Sequence, residues 1–340
     1  MAYNVAVDVG GTFTDVLVFN EESGELIEDK VLSTPDDPSR GVVEGITAAC
    51  QKAGISFSDL HLLFHGTTVV TNMILTNTGS RVGLLTTRGH EQILHLARAW
   101  TPGPLYGWMA LVKPAPPADP SDSVGISERI GATGEVIQEL DEEEVRKAVR
   151  LLVDRGVESL AIGFLNSYVN PAHEMRAREI AREMFPDLSV SISSDAGQEY
   201  GEYERTLTTV VNTAVQPRTV LYMKNFESSI RDRKFGGSLS IVRSDGGAMS
   251  TEAVAERPIQ ISLSGPSGGV TGSAYLARTI GIPDVLTFDM GGTSTDVSLV
   301  LGGETPLRRE IQLGYFQFKV PAVDVHSVGA GGGSIAFVST

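Results

Sequence analysis

The sequence predicts an α/β protein of two lobes, each presenting one glycine hairpin. Three observations carry that reading. The phrase DVGGTFTDV, from Asp8 to Val16, returns as DMGGTSTDV from Asp289 to Val297, with seven of nine positions identical. Between the copies, strand-like apolar runs alternate with helical periodicity, the grammar of a largely parallel sheet covered on both faces. A chain of 340 residues, 41% hydrophobic and 20% charged, can also bury more than one core.

The elements follow in order. Val5 to Val7 and Val16 to Phe19 are β-rich runs joined by the first glycine turn, and Glu25 to Leu32 follows a Ser23-Gly24 turn, so the chain opens as a meander. Helical spacing at Val42, Ile46 and Ala49 runs from Pro38 to Gly54, and the strand LHLLF from Leu60 leads into GTTVVTNMIL. Closely spaced prolines in TPGPLYGW and KPAPPADP forbid a helix interior or a central strand, which marks an excursion or linker over about residues 98–125. Asp141 caps a helix with Glu144 three residues on and Val145, Ala148, Val149 and Leu152 on one face, ending at Gly156. The strand SLAIGF follows. A helix from Asn170-Pro171 to Phe185-Pro186 and the strand LSVSIS complete the βαβ pattern. Strand-like IQISLS precedes helical VTGSAYLARTI, and VLTF and VSLV flank the second hairpin. The expected division is a first lobe over 1–264, a connecting helix over 265–283 and the start of a second lobe over 284–340.

Each copy of the doubled phrase joins two apolar strands, which places its glycines at a hairpin tip. Gly10-Gly11 and Gly291-Gly292 are free to take positive φ and let backbone N–H groups converge on an anion, with Thr12, Thr14, Thr293 and Thr295 adding hydroxyl donors. Phosphate fits such a cradle. Asp8 and Asp289, at strand ends, repel bare phosphate, and Mg²⁺, held through water, removes the conflict. Asp15 and Asp296 are expected to accept hydrogen bonds from turn N–H groups. GAGGGS, from Gly329, lacks the last glycine of a dinucleotide fingerprint and reads as a backbone nest through Gly331 and Gly332. Gly66-Thr67-Thr68 ends a buried strand and opens a helix, leaving two readings: N–H groups directed at an anionic substrate, or plain capping by a threonine.

Other chemistries are weaker. GPSGG fits G-x-S-x-G with Ser267 as a nucleophile, but His326 is the only histidine downstream and the doubled hairpin would go unexplained. His90 and His95 in HEQILH are five apart, which is not zinc-protease spacing. A net charge of −15 without a basic run argues against nucleic acid, and no apolar run reaches the roughly 18 residues of a membrane span. The single cysteine, Cys50, and the absence of a secretory N-terminus make the cytoplasm the default location.

The doubled hairpin resembles the actin, hexokinase and heat-shock-chaperone ATPase superfold, in which two related lobes each offer a phosphate hairpin to ATP. Several further phrases together resemble the N-terminal half of the A-type chains of the ATP-dependent hydantoinase and oxoprolinase family. They are HGTTVVTNMIL, NSYVNPAHE, EYERTLTTVVNTAVQP, SDGGAMS, SGPSGGVTG and VDVHSVGAGGGSIA, in the family's order and across essentially the whole chain. The resemblance implies ATP and Mg²⁺ as cofactors, with Asp8 and Asp289 as the catalytic acids. It implies hydrolysis of a cyclic amide, such as hydantoin, oxoproline or a related lactam, through phosphorylation of its carbonyl oxygen. A ketone carboxylase component is the alternative within the family; a small-molecule kinase and a non-enzymatic nucleotide switch lie outside it. A hydantoinase B-type subunit or domain is the implied partner, in an oligomer. TPGPLYGW stands where the family carries Arg-Pro-x-Leu-Tyr-Asp, a departure in a segment expected to face substrate. Family chains are about twice as long, so the second lobe is expected to be incomplete in this chain.

Overall fold

The opening meander forms as its alternation dictates. A computed structural model describes residues 3–34, 37–99, 115–292, 294–314 and 316–336. In it, β1 (Tyr3–Val9), β2 (Phe13–Asn20) and β3 (Leu26–Leu32) pair antiparallel in chain order. Val5, Val7 and Val9 lie opposite Val18, Val16 and Thr14 on a face buried beneath helix α1 (Pro38–Ala53). Asp8 and Asp15, one position out of step, fall on the other face. α1 is capped by Asp37 and ends where Gly54 turns left-handed at φ 68°. β4 (Leu60–Thr67) runs parallel to β1 and feeds helix α2 (Val69–Thr76). Strands Ser238–Val242 and Ala248–Met249 continue this sheet beyond β4, to six strands.

The alternation that reads as one sheet resolves into two. Val82–Thr87, Ser123–Ile126, Ser159–Gly163 and Ser189–Ile192 form a separate, wholly parallel sheet of four strands. Helices Glu142–Asp154 and Ala172–Met184 pack on it through Val145, Val149, Leu152 and Ile180. The two sheets share the 31-residue helix Glu202–Asp232, whose Leu207, Val210 and Val211 face the second sheet's core while Phe226 and Ile230 face the first. Its β-branched stretch and internal Pro217 disguise it in the sequence. Thr208, Thr209, Thr213 and Thr219 each return their hydroxyl to the carbonyl four residues back, which satisfies those hydroxyls inside a packed helix.

Two boundaries differ from the sequence reading. IQISLS is not a strand: Pro258–Ile261 is a short 3₁₀ turn, because proline starts a helical turn easily but cannot donate to a ladder. The next helix, Ser264–Thr279, begins early enough to take in GPSGG. It packs through Val270 and Ala274 on a third sheet, of Val285–Met290, Thr295–Val300 and His326–Val328, all antiparallel. Residues 100–114, most of the proline-rich excursion, lie outside the described residues, whereas Ser123–Ile126 at its far end belongs to the parallel sheet. No described helix is long and apolar enough to cross a membrane.

Candidate functional site

The two glycine phrases build the same turn. Gly10 donates its N–H to the Phe13 carbonyl at 3.0 Å, and Gly291 donates to Ser294 at 2.9 Å. Strand register repeats as well: Asp8 lies directly opposite Asp15, and Asp289 opposite Asp296. Positive φ, expected from the glycines, is not used by Gly10, Gly11, Gly291 or Gly292. What Gly11 contributes is room. A Cβ on Gly11 would meet nothing within 4 Å, so the tip stays open, while one on Gly10 would sit 3.1 Å from the Phe13 carbonyl that closes the turn. The tips meet: the Cβ position of Gly292 lies 3.6 Å from the Thr12 hydroxyl oxygen.

Thr12 is exposed at the first tip, as expected, and Thr293 lies outside the described residues. Thr14 and Thr295 turn inward. Period-two alternation puts Thr14 on the buried face with Val16 and Val18, its hydroxyl 3.1 Å from that of Ser33, which donates to the Gly10 carbonyl at 2.8 Å. Thr295 donates to the Ala330 carbonyl at 2.6 Å. These threonines therefore hold the turns from behind instead of reaching a ligand. The Gly331–Gly332 loop is also a brace: Gly332 N–H is spent on Gly291 and Gly331 N–H on the Ser334 hydroxyl, and Gly333 donates to Gly292. Asp15 and Asp296 bond across strands, not to turn N–H groups, because they stand inside the strands and not in the turns. Asp15 pairs with Lys30 at 2.6 Å, and Asp296 accepts from Ser327.

Asp8 is the acid of the first hairpin whose pKa is displaced. A Cβ on Gly66 would lie 3.1 Å from its Oδ1 and one on Gly265 only 2.8 Å away, so two glycines from different elements clear the space for this carboxylate. Its side chain reaches solvent from a site crowded by protein. Desolvation first, then the charges of Asp15 and Asp289, push its pKa up to about 6 against a partial opposing effect of Lys30. An acid so placed fits a cation. Among the described residues no three His, Cys, Asp or Glu gather to hold a metal unaided. That suits Mg²⁺, which commonly takes one or two carboxylates and completes its shell with water and phosphate oxygens. The glycine-cleared space at Asp8 and the open tip at Gly11 likewise fit an ATP phosphate chain.

The HGTT segment supports this site structurally. Thr67 is buried; its N–H goes to Ser264 Oγ at 2.8 Å, and that hydroxyl donates back to the Thr67 carbonyl at 2.8 Å. Thr68 N–H bonds the Val9 carbonyl and Val69 N–H bonds Thr67 Oγ1. Thr68 sits at the N-cap of α2 without a side-chain cap bond, the N–H groups of Thr67, Thr68 and Val69 are spent within the protein, and Gly66 leaves room beside Asp8. His65 is buried and pushed down to about 3, hence neutral, with Nε2 2.7 Å from the Tyr222 hydroxyl. Ser267 is no nucleophile: it lies buried within a helix, its hydroxyl donated to the Ser244 carbonyl at 2.5 Å. Sequence reasoning does not reach Gly265, Ser264 or Lys30, and the small-residue run at SGPSGG is the available signal for the first two.

Comparison with known proteins agrees with the repeated geometry. The profile of the hydantoinase/oxoprolinase N-terminal region matches residues 4–185, and that of hydantoinase/oxoprolinase matches residues 205–340. The acetophenone carboxylase gamma subunit of Aromatoleum aromaticum is 34% identical over 98% of this chain and 47% of its own length. The crystal structure of the ATP-dependent caprolactamase of Pseudomonas jessenii superposes with a TM-score of 0.89 at 31% identity, covering 99% of this chain and 49% of that one. Nucleotide-free acetone carboxylase gives 0.86 at 26% identity, over 97% and 48%. The shared fold is the mixed α/β, actin-like ATPase type. This chain spans about half the length of these relatives. Profiles that together take in both hairpins and nearly every residue between them settle the kinship: the chain belongs to the hydantoinase/oxoprolinase family.

Proposed function

We propose that the two hairpins clamp the triphosphate of ATP with Mg²⁺ and direct it at the oxygen of a small cyclic amide, which is then hydrolysed. The observation that carries this is the duplicated register, Asp8 opposite Asp15 and Asp289 opposite Asp296, each beside an identically closed glycine turn. ATP, when bound, supplies a phosphoryl group that turns an unreactive carbonyl oxygen into a leaving group, and Mg²⁺ offsets the charge between phosphates and acids. Asp8 and Asp289 hold the hydrated metal. Gly10, Gly11, Gly291, Gly292 and Thr12 leave the phosphates room to approach backbone and hydroxyl donors, with Thr293 as the counterpart of Thr12 by sequence. A hydantoinase B-type subunit completes the assembly, consistent with relatives that are named as subunits.

Ketone carboxylation is the second reading, because the relatives include carboxylase subunits as well as lactam hydrolases. The experiment is ATP hydrolysis by the natively purified assembly, with hydantoin, oxoproline, lactams or ketones, with and without bicarbonate. Ring-opened acid as product supports the hydrolase, bicarbonate-dependent carboxylation the alternative, and a stable phosphate ester a kinase.

A further inference from the structure

Beside the first hairpin, on the sheet face away from Asp8, is a cavity of about 690 Å³. Gly10 and Gly11 are among its lining residues. One wall is α2, through Thr68, Val69, Asn72 and Met73; the other is the long helix, through Arg218, Leu221, Tyr222 and Asn225. The last four stand at i, i+3, i+4 and i+7, one stripe of a helix. The volume suits a small molecule. Val9, Val69, Met73 and the exposed Leu221 give it apolar surface for a ring or an alkyl chain.

Its two charged groups, one of each sign, are differently committed. The only charged side chains among the described lining residues are Asp37 and Arg218. Asp37 is committed to capping α1, accepting Ser39 N–H at 3.1 Å and the Ser39 hydroxyl at 2.6 Å. Arg218 is exposed at this wall and makes no hydrogen bond or ion pair with any described residue, in a chain whose acids outnumber its Lys and Arg by 42 to 27. Thr34 and Thr76 are spent on backbone carbonyls, leaving the guanidinium as the strongest uncommitted donor facing the space.

We propose that this cavity is the acceptor pocket and that Arg218 binds a carboxylate of the acceptor, so that the substrate is an acid. The inference rests on the assignment of the hairpins to ATP phosphate: the open Gly10–Gly11 tip is shared by both sites, which brings an acceptor oxygen to the phosphate end of the nucleotide. The apolar walls take the ring, and the planar guanidinium fork selects the acid over its neutral analogue.

The test uses the natively purified assembly and acceptor-stimulated ATP hydrolysis with matched pairs: oxoproline against pyrrolidinone, hydantoin acetate against hydantoin, acetylbenzoate against acetophenone. The proposal expects the acid of at least one pair to have a KM at least about tenfold below its neutral partner. Arg218→Gln should raise that KM by about tenfold to a hundredfold while the KM for ATP moves less than about threefold, and Arg218→Lys should restore part of the loss. Three results overturn it: no stimulation by any acid, neutral members used as well as acids, or an acid KM indifferent to Arg218→Gln. An equal rise in the ATP KM also overturns it, by placing Arg218 on phosphate. Calorimetry with ATP alone separates the two layers. A wild type that binds no ATP removes the hairpin assignment itself, whereas normal ATP binding with an unchanged acceptor KM removes only the role of Arg218.

Discussion

A Cβ on Gly265 would stand 2.8 Å from Oδ1 of Asp8, closer than real Cβ contacts allow. The helix start and the first hairpin are thus fitted to each other through a missing methyl group. Gly265→Ala should lower ATP turnover about tenfold to a hundredfold by displacing the carboxylate, a misplacement effect. Stability should hold, since alanine in a helix gains up to about 1 kcal/mol over glycine. Gly269 in the same helix is the control, because its Cβ position meets nothing within 4 Å. Gly269→Ala should stabilise by a similar amount and leave turnover intact. Equal turnover in both variants would show that Asp8 does not need the space.

The raised pKa of Asp8, about 6 against an ordinary 3.8, sets a sign that can be checked. The folded state favours the protonated form, so this group's contribution to stability is complete below the ordinary value and is lost as pH rises through 6. Asp8→Asn keeps the uncharged form at all pH. It should stabilise the metal-free protein at pH 8 by about 1 kcal/mol, discounted because the carboxylate faces solvent, or about 2–4 °C in Tm. At pH 5 the gain should shrink. Calorimetric scans at both values decide it, and an equal gain at both pH values would mean that the carboxyl is unperturbed.

The doubled hairpins were legible because seven identical positions impose one local geometry, and the alternation of Val5, Val7 and Val9 fixes which face Asp8 occupies. Which threonines face a ligand was also decided by that period of two, yet the run of Thr12 and Thr14 reads in sequence as one set of donors. Pairings between distant segments were not legible. The clasp of Ser264 on Thr67 and the bonds of Gly332 and Gly333 to Gly291 and Gly292 join residues that only the fold brings together. The long helix Glu202–Asp232 was hidden by its threonines, valines and Pro217, whose local preference opposes a helix that tertiary packing stabilises. Arg218 carries no sequence signal at all, since its significance is its place, exposed and without a described partner, along the wall of a cavity.

One face of the third sheet is apolar and open. Leu286 lies opposite Leu299 and Phe288 opposite Val297, and Leu286, Phe288, Met290, Leu299 and Leu301 are all exposed. A contiguous patch of this kind drives association. The 340-residue chain expressed alone should therefore self-associate. Leu286→Glu with Leu299→Lys, an opposite-charge pair at directly facing positions, should shift it towards monomer. Size-exclusion chromatography with light scattering reads both outcomes; a monodisperse wild-type monomer would contradict the first.

The central claim is that both hairpins hold one Mg²⁺-bound triphosphate, and the direct measurement is ATP turnover by the natively assembled protein carrying Asp8→Ala or Asp289→Ala. Both acids stand at strand ends and neither contributes to an apolar core, so circular dichroism and Tm should stay near wild type. Each variant, taken singly, should lose at least about a thousandfold in turnover, the scale of removing a directed electrostatic contact in a transition state. A variant at either position that keeps most of the wild-type rate would contradict the account, since one hairpin would then be working without the other.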